Sequence, residues 1–87
     1  MQVHNYMEDV VKNVMEEVLS ERDDMCSCDK CKLDIVAWAL NRLPSKYIVT
    51  LKGSVYTRLQ ELELQFKADV TKEITKAIEH IKDNPQH

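Results

Sequence analysis

From Val55 onward the apolar side chains fall at Leu59, Leu62, Phe66, Val70, Ile74, Ala77, Ile78 and Ile81. These steps of three and four residues lay one continuous stripe along an α-helix and suit no other regular structure. The spacing predicts a single helix over residues 54–82, roughly 42 Å long at the α-helical rise. Ser54 stands where its N-cap belongs, and Asn84-Pro85 stops it. In a chain of 87 residues, a helix of that length outruns the domain that contains it. Such a helix is expected to meet a second copy of itself in a homodimer. With one Gly and two Pro in the whole chain, a sheet-rich fold with many tight turns is excluded.

Two further helices are expected. At the front, Asn5-Tyr6-Met7-Glu8 has the form of a capping box. Val3, Met7, Val10, Val11, Val14, Val18 and Leu19 follow at helical spacing, which predicts a helix over residues 5–22. Its valines lower intrinsic propensity, so its stability must come from packing. A second helix is expected over residues 29–43. Leu33, Val36, Ala37, Leu40 and Leu43 form its apolar face, Ile35 and Trp38 widen it, and Pro44 ends it. Tyr47-Ile48-Val49-Thr50-Leu51 is β-branched and aromatic, so the connection at residues 46–51 is read as extended. One short strand cannot stand alone; it must lie along the helices or pair with a second copy. The expectation is a mainly α, three-helix chain forming one domain over residues 1–87.

Charge is distributed unevenly. Residues 1–25 carry seven acids against Lys12 and Arg22, whereas residues 26–60 carry Lys30, Lys32, Arg42, Lys46, Lys52 and Arg58 against Asp29 and Asp34. With a net charge of −3 and no long basic stripe, duplex nucleic acid is not expected as a partner. The basic middle suits a small anionic ligand, or simply complements the acidic front. No apolar run approaches the roughly 18 residues of a membrane span, and Met1 opens no signal-peptide pattern. The expected location is the cytoplasm, where thiols stay reduced.

Cys26-Ser27-Cys28-Asp29-Lys30-Cys31 concentrates all three cysteines of the chain within six residues. An odd number of thiols in a reducing compartment is poor disulfide material. Cys28 and Cys31 have the C-x-x-C spacing of a half-site for tetrahedral zinc, and Cys26 adds a third sulfur. Thiols at a helix N-terminus ionise readily and so make good ligands. A fourth ligand must come from elsewhere, with Asp24 and Asp34 near in sequence and His4, His80 and His87 reachable only through the fold. A redox C-x-x-C and three small clustered core cysteines are the competing readings.

Arg42, Lys46 and Tyr47 form a second constellation around the turn made rigid by Pro44. Arg suits bidentate phosphate contacts, and an aromatic ring can stack on a base. The plainer reading has the cations favouring a helix C-terminus and Tyr47 in the core. Trp38 reads as core, and His80 and His87 as solvated. The sequence contains no Gly-rich phosphate loop, no nucleophile–base spacing and no carboxylate pair in a plausible cleft. An enzyme is not expected.

The run MCSCDKCKLDIVAWALNRLPSKY resembles the signature region of the ComFB family, the late competence development proteins of bacteria. NYMEDVV at the front, Lys52-Gly53, and Pro85 and His87 after a long helix are similar to that family too. The resemblance implies a small, mainly helical, dimeric cytosolic protein. It implies zinc held by Cys26, Cys28 and Cys31. It also implies a receptor for a cyclic dinucleotide, cyclic di-GMP or cyclic di-AMP, that relays the signal to a downstream protein. Arg42, Lys46, Tyr47 and Arg58 are the candidate ligand residues, by charge and position. The alternative is a zinc-stabilised dimeric adaptor that works through protein contacts alone.

Overall fold

The computed structural model describes residues 2–22, 28–50 and 55–83, with side chains over 3–22, 28–49 and 59–82. In chain order these form strand β1 (Gln2–Asn5), helix α1 (Tyr6–Ser20), helix α2 (Asp29–Leu40), strand β2 (Tyr47–Thr50) and helix α3 (Val55–Asp83). The mainly helical, three-helix architecture is the one expected, with a two-stranded sheet added to it.

α1 begins at Asn5, which holds an extended backbone while its Oδ1 accepts from Met7 N at 3.2 Å. That bond takes the place of the reciprocal box expected with Glu8, although Glu8 and Asp9 still lie in the first turn where the macrodipole favours acids. The same Oδ1 accepts from Lys46 N at 2.8 Å, and Tyr6 N donates to Lys46 O at 2.9 Å. Asn5 therefore starts a helix and pins a segment 41 residues distant. The residues before it pair antiparallel with β2 in the register Val3↔Val49, His4↔Ile48 and Asn5↔Tyr47. Val3 is thus a strand residue, 68% exposed, and not the first member of the α1 stripe. Of the extended stretch expected at residues 46–51, Tyr47–Thr50 finds its partner strand in its own chain, and Leu51 lies outside the described residues.

α1 buries Met7, Val10, Val11, Val14 and Met15 against both other helices. α2 is turned relative to expectation. Cys31, Ile35, Val36 and Ala39 are buried, while Leu33 is 65% exposed and Ala37 lies in solvent. Apolar residues surround this helix, so their periodicity does not select one face. Cys31 and Ala39 are small, which lets the helix axes approach closely on the side they occupy. α2 stops at Leu40, three residues short of expectation. The bond from Arg42 N to Ala39 O tightens the last turn, and Pro44 keeps Leu43 out of helical geometry.

α3 runs the length of a molecule whose longest dimension is 41 Å. Its second half buries Val70, Ile74, Ala77, Ile78 and Ile81 against α1 and α2. In its first half Leu62 is buried, Leu59 and Phe66 pack at the core's edge, and Leu64 is 85% exposed. Most of the apolar stripe that sequence reasoning assigned to a second copy is covered within this chain.

Candidate functional site

Two groups of residues carry chemistry. The first is the start of α2. Cys28 is its N-cap residue, exposed and making no side-chain capping bond, and Cys31 is one turn further on, buried in the core. The two sulfurs belong to the first turn, where unpaired backbone N–H groups and the positive end of the helix favour a thiolate. Two thiolates at this spacing suit a tetrahedral thiophilic ion. Cys26 and Asp24 lie outside the described residues. Among the described residues no three His, Cys, Asp or Glu side chains gather as a metal-holding group. Of the fourth-ligand candidates, Asp34 is engaged by Lys30 Nζ at 2.9 Å and His4 by Asp9 at 2.6 Å. Cys31 also fills a core position, as the reading of three clustered core cysteines requires, whereas Cys28 is exposed and does not fit that reading.

The second group is the corner that follows α2. Arg42 Nη1 donates to Trp38 O at 3.1 Å, capping a carbonyl at the helix end, and Arg42 Cζ lies 3.6 Å from the centre of the Trp38 ring. The imidazole of His80, from the last turns of α3, stacks on the same indole with ring centres 4.4 Å apart and planes at 30°. His80 was expected to be merely solvated. It is exposed, and its ring is also part of a three-residue contact, legible only once α2 and α3 are docked. Trp38 is half-buried, with its Nε1 enclosed and lacking an acceptor among the described residues.

Four residues on, Lys46 Nζ lies 4.9 Å from the centre of the Phe66 ring. Tyr47 is 66% exposed, against the plainer expectation that it fills the core. Tyr47 and Val49 alternate along β2, and Val3 pairs across to Val49, so one face of the ribbon presents all three to solvent. Ile48, on the opposite face, packs on the core. Arg58 lies in the first turn of α3, and its side chain is outside the described residues. Arg42, Lys46 and Tyr47 are thus adjacent along one corner, but each cation already lies over a ring. The corner is separate from the groove of about 360 Å³ between α1 and α2 lined by Lys12, Met15, Lys32, Leu33 and Val36.

Fold and site together define a small helical protein with a two-stranded ribbon, a thiol-bearing helix start and a corner of cations on aromatic rings. A family model described as late competence development protein ComFB matches residues 4–85, and the chain belongs to that family. It is 26% identical over 61 residues to the competence protein ComFB of Bacillus subtilis (strain 168). That alignment covers 70% of this chain and 62% of the relative, so the matched stretch spans less than two thirds of the relative's length. The structure is similar to that of the late competence protein ComFB from Bacillus subtilis, with a TM-score of 0.78, 98% of this chain and 93% of that chain covered, and 20% identity. At that identity the likeness is one of fold. No helix among the described residues is long and apolar enough to cross a membrane.

Proposed function

We propose that this ComFB-family protein is a zinc-containing, homodimeric cytoplasmic receptor, not an enzyme, that binds a cyclic dinucleotide and relays the signal to a downstream protein. One observation carries the ligand reading. Within six residues, the turn after α2 sets a guanidinium on an indole, an ammonium over a phenyl ring and a phenol largely in solvent. Phosphates call for Arg forks and nucleobases call for rings, and a cyclic dinucleotide presents two of each. A two-fold dimer would offer Arg42, Lys46, Tyr47 and Arg58 in matched pairs to a nearly two-fold ligand. Cys26, Cys28 and Cys31 would hold zinc as a structural ion that fixes the start of α2.

A second reading has its own support. The exposed Val3, Tyr47 and Val49 face is apolar, and the cations of Arg42 and Lys46 already have ring partners, as suits an adaptor that works through protein contacts. Arg42→Ala separates the two. Under the receptor reading it weakens cyclic dinucleotide binding by about tenfold or more, since a charge-assisted bond contributes roughly 1.5–3 kcal/mol. The chain should stay folded at a cost of about 1–2 kcal/mol, because Arg42 is exposed and forfeits one capping bond and one ring contact. Unchanged affinity in this variant overturns the assignment of Arg42.

A further inference from the structure

Sequence reasoning set Trp38 aside as core and His80 as solvated. Their contact with Arg42 gives both another role. Arg is a long side chain, and holding it in one rotamer ordinarily costs conformational entropy at the moment of binding. Here that cost is met on folding. Nη1 is anchored to Trp38 O at 3.1 Å, and the guanidinium carbon Cζ lies 3.6 Å from the indole centre. One of five guanidinium N–H groups is used, and the others have no partner among the described residues. The indole is itself held from α3 by His80, at 4.4 Å. Arg42 is nonetheless exposed, so an anion can reach it.

We infer that Trp38 and His80 are positioning residues that hold Arg42 ready for a phosphate-class anion at the junction of α2 and α3. The inference deepens the receptor reading and rests on it for the identity of the ligand, though not for the existence of the anion site. The anion meets the remaining N–H groups of a guanidinium already in place, and the two helices sense its arrival through one stack. Lys at position 42 would keep the charge and lose both the planar contact and the fork.

Trp38 is the only tryptophan in the chain, so its fluorescence reports this site alone. The test titrates the 87-residue chain, supplied with zinc, with pyrophosphate, and separately with cyclic di-GMP and cyclic di-AMP. Trp38 emission is followed in parallel with calorimetry. Saturable emission changes with pyrophosphate, abolished in Arg42→Ala and not restored in Arg42→Lys, are expected. His80→Ala, at an exposed position, should weaken binding about three- to tenfold through lost positioning while Arg42 remains. Trp38→Phe, read by calorimetry, retains a ring and should fall between wild type and His80→Ala. If pyrophosphate binds in this way and neither cyclic dinucleotide does, the site stands and the receptor reading falls. If a cyclic dinucleotide binds with no change in Trp38 emission and with equal affinity in His80→Ala, the receptor reading stands and the positioning role is overturned. If neither anion binds, both fall.

Discussion

Asn5 does more for this fold than its place near the chain start suggests. Its Oδ1 accepts from Met7 N and from Lys46 N, so one side chain caps α1 and fastens the start of β2. Asn5→Ala leaves two backbone N–H groups without that acceptor and should cost about 1–3 kcal/mol in denaturant unfolding. Asn5→Asp keeps an acceptor and should retain most of the stability; a wild-type midpoint for Asn5→Ala would refute the double role. Cys28 permits an equally direct test. It is exposed, and Cys28→Ser exchanges one small polar side chain for another, so without metal stability should change by no more than about 1 kcal/mol. If its thiolate holds zinc, purified protein should contain about one zinc per chain, and the same substitution should lower the melting temperature and release the metal. Metal analysis of fully reduced wild-type protein that finds no zinc would remove the metal proposal.

Among the elements, the ribbon is the one whose role changed most between sequence and structure. It presents Val3, Tyr47 and Val49 to solvent, and Leu64 is the most exposed large apolar side chain of α3. With Leu33, these are the exposed large apolar side chains among the described residues that a second copy could cover, since Val70 is fully buried inside its own chain. Val49→Asp and Leu64→Asp should therefore give folded monomers in light scattering, whereas Val70→Asp should unfold the chain. A wild-type monomer at micromolar concentration would contradict the dimer. α1 and α3 were legible because each holds a 3.6-residue period for ten residues or more, and α2 because Asp29 suits its start and Pro44 breaks it. β1 was not, because four residues carry too little alternation to separate a strand from a helix entry, and Val3 happens to fit both. The buried face of α2 was misjudged because Leu33 outranks Cys31 and Ala39 in hydropathy, while close packing favours the smaller pair. Of the candidate site, Arg42, Lys46 and Tyr47 could be found from charge and composition. The contribution of His80 could not, because it arrives from forty residues away through helix docking.

At the scale of the whole molecule, a single chain already has a covered core. α1, α2 and the second half of α3 enclose it. The charged and aromatic corner after α2 and the thiols at its start lie at opposite ends of one 12-residue helix. A zinc ion at the thiols would hold the helix that positions the corner. What this arrangement is for is decided most directly by calorimetric titration of zinc-replete wild-type protein with cyclic di-GMP and cyclic di-AMP at two salt concentrations. Saturable binding of at least one of them is expected, with a dissociation constant on the order of tens of micromolar or tighter. Its affinity should fall as salt rises, because the phosphate contacts are exposed. No saturable binding of either nucleotide at that concentration would contradict the receptor reading and leave the adaptor.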